Sequence, residues 1–362
     1  MRILIVDDSL VTRVQLRAVF EAQGYQVREA CSGEQALQML ADYSPDIVTM
    51  DVHMPGMDGY ETTARILEKH ALPVVVLTAS ANPYSTSTAM RALEAGALAV
   101  LEKPRGTNAA DFDERMAEVL QVLRNMAQVK IVRRPRKIAG PSPITGPSHT
   151  PQSSLQLIRQ TALAAPQLIA IAASAGGPAA LKTLLQSLVL PQPWALMLVQ
   201  HIAAGFLPSF RDWLASLSPL PVMIAEDGQT LSPGVLYLAP DGVHLGFCAE
   251  RRVRLHAGPP EEHIRPAANY LFRSVAQQFG LQAIGIQLSG MGRDGAQGLA
   301  ELHKTGALTL AQEPGSAVVD SMPQAAIALH AARQVLCPQD IGLLLNQLAT
   351  QLASASALGK RE

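Results

Sequence analysis

The sequence predicts an α/β protein of two successive units, each a mainly parallel sheet wrapped on both faces by helices, and three observations predict it. Short apolar runs alternate with amphipathic stretches as far as about Met126; the alternation resumes from about Gln167; and Pro, Gly, Ser and Thr dominate the stretch between. Strands separated by helical segments are what a parallel sheet with crossover helices requires. At 362 residues the chain is too long for one ordinary domain and long enough for two with separate cores.

In the first unit R-I-L-I-V, D-I-V-T-M, P-V-V-V-L and A-L-A-V-L are strand candidates with helical segments between them. Five βα units in roughly 125 residues suit a compact doubly wound domain. From 127 to 166 the chain changes to K-I-V-R-R-P-R-K and then A-G-P-S-P-I-T-G-P-S-H-T-P-Q-S-S, a linker whose basic start reads as a solvated hinge rather than a docking site. In the second unit Q-L-I-A-I-A-A, A-L-M-L-V, P-V-M-I-A, V-L-Y-L-A and A-I-G-I-Q-L are strand candidates, and P-A-A-L-K-T-L-L-Q-S-L, N-Y-L-F-R-S-V-A-Q-Q-F and A-Q-G-L-A-E-L-H-K read as helices.

Composition narrows the function classes. Lys plus Arg (29) balance Asp plus Glu (30), so no global field recommends nucleic acid or an anionic membrane as a partner. Cys31, Cys248 and Cys337 are few and scattered, which suits a reducing cytosol better than a disulfide framework. Carboxylates interrupt the opening M-R-I-L-I-V-D-D, and no apolar stretch has the length of a membrane span, so a cytoplasmic protein is expected, with no membrane insertion.

Asp7 and Asp8 follow the first strand and Asp51 ends the third, so a parallel sheet brings all three to its carboxyl edge, where such sheets bind ligands. Three carboxylates together repel unless a cation lies among them, and an all-oxygen set suits Mg²⁺. Thr78 and Lys103, after the fourth and fifth strands, reach the same edge and could hold a phosphoryl group on Asp51. Any one of these acids alone could equally be a helix cap.

The second unit repeats the device with different chemistry. Ser174, His201 and Asp294 each follow a strand-like run, as a hydrolytic triad requires: a hydroxyl is a poor nucleophile until an imidazole takes its proton and an acid orients that imidazole. Small residues in A-A-S-A-G-G-P permit a tight strand-to-helix turn, whose amides can stabilise an oxyanion. Read singly, Ser174 is a helix cap, His244, His256 and His263 compete with His201, and G-M-G-R-D-G could be a phosphate-binding turn.

The ordered set settles the reading. The D-D pair, D-V-H-M-P-G-M-D-G, T-A-S and E-K-P resemble a response-regulator receiver domain. A-S-A-G-G-P, V-Q-H-I-A-A-G-F, P-G-V-L-Y-L-A-P-D-G-V-H, R-P-A-A-N-Y-L-F-R-S-V-A and L-S-G-M-G-R-D-G resemble the catalytic domain of the chemotaxis protein-glutamate methylesterases. The resemblance implies a flavodoxin-like (βα)₅ receiver over 1–126 and a doubly wound catalytic domain over 167–355. It implies Asp51 as phosphoacceptor, Thr78 and Lys103 as switch pair, and Mg²⁺ held by Asp8, Asp51 and the His53 carbonyl, with Asp7 the outer acid of that metal site. For hydrolysis it implies Ser174 as nucleophile, His201 as general base and acid, Asp294 as its partner and the Met291 amide as oxyanion donor, without a further cofactor.

Methylated chemoreceptors are then the substrate, glutamine deamidation a second activity, and a chemotaxis histidine kinase the phosphodonor. The unphosphorylated receiver is expected to cover the catalytic edge. The chain departs from the family pattern at Val100, where an aromatic residue is usual, at Ala175 in place of Thr, in A-A-N-Y, and at Asp320-Ser321 in place of a more usual Gly. The alternatives are a non-enzymatic response regulator whose second domain binds partners and a transcriptional regulator, for which no basic recognition helix is evident. A lipid or small-ester hydrolase is weaker, since no apolar lid segment stands out.

Overall fold

In the computed structural model residues 1–78, 86–104, 112–129, 131, 165–203 and 205–358 are described, so the expected linker lies almost wholly outside the described residues. The chain divides into two compact units, Met1–Pro135 with Val318–Asp320, and Arg136–Ala317 with Ser321–Glu362.

The first unit is built on β1 (Arg2–Val6), β2 (Gln26–Ala30), β3 (Ile47–Asp51), β4 (Val74–Thr78) and β5 (Ala99–Glu102), in the order β2-β1-β3-β4-β5 with every neighbouring pair parallel. Alternate residues of a strand face opposite sides of its sheet. Leu4, Val6, Val48, Met50, Val74 and Val76 accordingly fill one core, and Ile3, Ile5, Ile47, Val75 and Leu77 fill another with Phe20, Leu120 and Leu123. The near-continuous apolar strands follow from burial on both faces.

Helices Leu10–Ala22, Gly33–Met39 and Gly59–Lys69 start at Ser9, Ser32 and Asp58, whose side chains accept from the amides of Thr12, Gln35 and Glu61. Gly59 has a steric reason: a Cβ there would lie 2.0 Å from the Asp51 carbonyl oxygen. That helix begins directly beneath the end of β3.

The second unit has β6 (Leu168–Ala173), β7 (Ala195–Gln200), β8 (Val222–Ile224), β9 (Leu236–Leu238), β10 (His244–Phe247), β11 (Val253–His256), β12 (Ala283–Gln287), β13 (Leu308–Gln312) and β14 (Gln334–Leu336). Seven of them form a parallel sheet in the order β14-β13-β12-β6-β7-β9-β8, while β10 and β11 pair as an antiparallel ribbon. The chain builds outward from β6 to one side and then crosses to β12 on the other. The carboxyl end of β6 is therefore a topological switch point, with a crevice between diverging connections.

The expected helices at 178–188, 269–279 and 296–304 are Gly177–Ser187, Ala268–Gln278 and Ala296–Lys304. Among the described residues no helix is long and apolar enough to cross a membrane.

Candidate functional site

The three strands meeting at the switch point deliver the three expected residues. Ala173 of β6 pairs with Gln200 of β7, so Ser174 and His201 stand one step beyond paired positions on adjacent strands, and the His201 amide donates to the Ala173 carbonyl at 2.9 Å. Adjacent strands lie roughly 4.8 Å apart, which brings the hydroxyl-bearing and imidazole-bearing residues side by side. Asp294 arrives from the loop after β12, and its Oδ2 lies 2.9 Å from His201 Nε2.

Asp294 is anchored before it meets the histidine. Helix Ala268–Gln278 begins after Ala267, which has no side-chain oxygen to cap it. The carboxylate fills that role, accepting from the Ala268 amide at 2.6 Å and the Asn269 amide at 2.9 Å. An anion at a helix N-terminus is held by free amides and the helix dipole together. Burial pushes this 2%-exposed carboxyl up, but the hydrogen bond and charge of His201 and the two amides outweigh it, and the group is held below its ordinary value. Asp294 is thus an anion fixed in place, able to orient an imidazole and balance its charge.

The turn carrying Ser174 is as tight as its small residues suggested. Gly176 has φ +74°, and a Cβ on Gly177 would lie 2.5 Å from Gln200 Oε1 and 2.9 Å from the Ala173 Cβ. The Gly177 amide donates to the Ser174 carbonyl at 2.8 Å, and helix Gly177–Ser187 starts from that turn. On the other flank the Ser174 amide donates to the Ser289 carbonyl, and the Ser289 hydroxyl donates to the Ala175 carbonyl, both at 2.9 Å.

Met291 lies on the loop between β12 and Asp294, bracketed by Ser321: that hydroxyl donates to the Gly290 carbonyl and accepts from the Gly292 amide, each at 3.0 Å. A Cβ on Gly290 would approach the Ser174 Cβ to 2.8 Å, so the loop passes close over the serine. The Ser321 hydroxyl thus ties both sides of Met291. A small cleft of about 140 Å³ beside His201 is lined by Gln200, Ile202, Asp241, Ile264, Arg265 and Pro266.

Two of the three competing histidines, His244 and His256, have other partners. His244 is buried in β10, stacked on Tyr270, bonded to the Pro259 carbonyl and accepting from the Ala267 amide. His256 stacks against Tyr270, 5.8 Å between centroids, and His263 is exposed with φ +67°.

At the carboxyl edge of the first sheet Asp7, Asp8 and Asp51 place carboxylate oxygens within 4.8 Å of one another. Lys103 Nζ bridges Asp7 at 2.8 Å and Asp51 at 2.9 Å, and its amide donates to the Thr78 carbonyl at 2.8 Å. Burial pushes the Asp7 carboxyl above its ordinary value; the bond and charge of Lys103 oppose this and the negative Asp51 adds to it. Like charges so close call for cationic company, and all-oxygen donors fit a hard divalent ion such as Mg²⁺. Thr78 is fully buried at the end of β4, and His53 is exposed two residues beyond Asp51. Val100 in β5 packs against the core that β1, β3 and β4 share.

Sequence reasoning passed over a set of buried glutamines. Gln200, Gln287 and Gln312 end β7, β12 and β13 and are 8%, 0% and 1% exposed. Gln287 donates to the Asp294 carbonyl at 2.8 Å, and Gln312 accepts from the Ser289 amide at 2.8 Å. The signal was available as glutamine recurring at the end of apolar strands, V-Q, I-Q and A-Q.

A family model described as CheB methylesterase matches residues 169–345, and one described as response regulator receiver domain matches residues 3–110. "Protein-glutamate methylesterase/protein-glutamine glutaminase 3" of Hahella chejuensis is 45% identical, the match covering 97% of this chain and 99% of that one. "Protein-glutamate methylesterase/protein-glutamine glutaminase 4" of Myxococcus xanthus is 41% identical, covering 98% and 97%. The solved catalytic domain of Thermotoga maritima CheB methylesterase is 32% identical with a TM-score of 0.49, covering 51% of this chain and 98% of that one.

Proposed function

Since this chain belongs to the protein-glutamate methylesterase/protein-glutamine glutaminase family, we propose that it hydrolyses methyl esters of glutamate side chains, and deamidates glutamines, in chemoreceptors, under control of its own receiver domain. The catalytic domain is assigned to 167–355 and the receiver to 1–126, with the linker between. The observation that carries the reading is the 2.9 Å His201–Asp294 hydrogen bond at the end of the strand beside Ser174.

The chemistry follows from which ring nitrogen is used. His201 Nε2 faces Asp294, so Nδ1 is the nitrogen left to take the Ser174 proton. The Ser174 oxygen adds to the ester carbonyl, and the oxyanion is met by the Met291 amide and the amides of the turn before helix Gly177–Ser187. Collapse breaks the C–O bond, methanol leaves with the proton from His201, and an acyl-serine remains. Water then gives its proton to His201 and its oxygen to the acyl carbon; Ser174 regains its proton and a free glutamate departs. A glutamine side chain follows the same course with ammonia as leaving group.

In the receiver, Asp51 accepts a phosphoryl group from a chemotaxis histidine kinase. Asp8, Asp51 and the His53 carbonyl would hold Mg²⁺, with Asp7 beside them, and the ion would supply charge neutralisation at the phosphoryl oxygens. Lys103 pairs with the phosphoryl oxygens and Thr78 reports their presence. Phosphorylation raises the hydrolytic rate.

Methanol release from methylated chemoreceptors, with and without a small-molecule phosphodonor, tests the proposal. Release by the native chain that disappears in Ser174→Ala is expected. Undiminished release by that variant would remove the catalytic assignment and favour a non-enzymatic partner-binding domain.

A further inference from the structure

We infer that Gln200 is a positioning residue that sets the separation of nucleophile and base, a reading that rests on the catalytic assignment of Ser174 and His201. Its Nε2 donates to two carbonyls, those of Ser174 and His201, each at 2.9 Å. One planar NH₂ group, whose two hydrogens diverge at a fixed angle, thus ties together the main chains of the residues that must exchange a proton.

The opposite end of the same amide shows that packing is not the reason for a polar residue here. Gln200 Oε1 is buried without a hydrogen-bond partner. A buried unpaired carbonyl is destabilising, and an apolar side chain of the same length would avoid it. The surroundings nonetheless accommodate the amide: helix Gly177–Ser187 starts with a glycine whose Cβ would lie 2.5 Å from that oxygen. Glutamate cannot substitute, because an ionised carboxylate would turn acceptors toward two carbonyl oxygens.

The bond to the Ser174 carbonyl is one of two on that oxygen, the other coming from the Gly177 amide. The first fixes the turn to β7 and the second fixes it to the helix. Removing the first leaves Ser174 held by its strand, by the Ser289 carbonyl and by the Gly177 amide, but no longer tied directly to His201. Displacement of a reacting group by about 1 Å costs on the order of 100-fold in rate.

Gln200→Met keeps the length and burial and removes both donors. Steady-state methanol release is expected to show kcat reduced on the order of 10- to 100-fold with KM within about two-fold of native. Labelling of Ser174 by an organophosphonate should slow in parallel, since it needs the same proton transfer. Trp194→Phe, buried at the amino end of β7, supplies a comparator that perturbs the core far from the reacting groups, and it should leave kcat native. A Gln200→Met enzyme with native kcat, or one whose loss of kcat is matched by Trp194→Phe at equal Tm, overturns the inference. If Gln200→Met does not fold, Gln200→Leu gives the same comparison, again removing both donors without adding charge, with kcat again expected to fall at constant KM and native kcat again overturning the inference. Ser174→Ala run alongside separates the two claims. An active Ser174→Ala defeats the catalytic reading itself, whereas an inactive one beside a fully active Gln200→Met defeats only the positioning role.

Discussion

The two sheets place a buried aspartate at the same kind of edge and treat it in opposite ways. Asp7 is desolvated beside a second carboxylate, and even the ammonium of Lys103 leaves its carboxyl above the ordinary value. Asp294 is as deeply buried, yet two helix amides and an imidazole hold it below that value. The difference teaches that burial alone does not decide an acid's state: it pushes both carboxyls up, and an imidazole with two helix amides outweighs it at Asp294, whereas the Lys103 ammonium and the Ser9 amide do not at Asp7, where Asp51 adds to the rise. A crowded acidic edge invites a cation and an incoming phosphoryl group, whereas a single well-capped acid orients a base.

The sharpest way to break this contrast is Asp294→Asn, which keeps the shape but removes the anion beside His201. On the catalytic reading kcat for methanol release falls about 10³- to 10⁴-fold; a loss under ten-fold would show that the acid does not support the imidazole. Asp51→Asn comes next: stimulation by a phosphodonor should vanish while unstimulated release persists, and equal stimulation of variant and native chain would remove Asp51 as the acceptor.

Backbone closeness sharpens the same pairing. A Cβ at residue 59 meets the Asp51 carbonyl oxygen at 2.0 Å, while one at residue 177 meets first the end of a side chain, Gln200 Oε1, at 2.5 Å. Gly59→Ala should therefore cost about 1–3 kcal/mol in chemical denaturation, and Gly177→Ala less. The reverse order would mean that the catalytic turn is the stiffer of the two.

The smallest effect expected is thermal. Asp7→Asn should raise the receiver's Tm at neutral pH by roughly 3–5 °C if the cost of burying its charge is near 1 kcal/mol. The sign follows from linkage. Asp7 binds its proton more tightly folded than unfolded, so native stability increases as pH falls from its raised value toward the ordinary 3.8, and the advantage of the variant shrinks over that window. Asp294 runs the other way, its contribution being present above 3.8 and lost as pH falls through its lower folded value. Differential scanning calorimetry between pH 3 and 7 reads both.

Much of this was legible in the residues. Apolar runs buried on both faces announced β1, β3, β4, β6, β7 and β12, and a polar residue at or after the end of each run marked the candidate sites. Less legible were β2, whose Q-V-R-E-A alternates partly exposed positions, and the β10–β11 ribbon, whose short strands carry His and Arg. No local pattern could tell that Ala267 leaves a helix start for Asp294 to cap, because the donor and acceptor lie 26 residues apart. Gln200 was hidden for a related reason: a glutamine ending a strand looks like a surface residue until the helix beyond Ser174 closes over it.

That capping bond has an evolutionary corollary. On the catalytic reading, a descendant that lost the Ser174 hydroxyl would still gain from keeping the aspartate at 294, because without it the start of helix Ala268–Gln278 has orphaned amides inside the molecule. Retention of that acid in a sequence therefore says little about whether the sequence still performs hydrolysis, and the position to inspect first in any such descendant is 174.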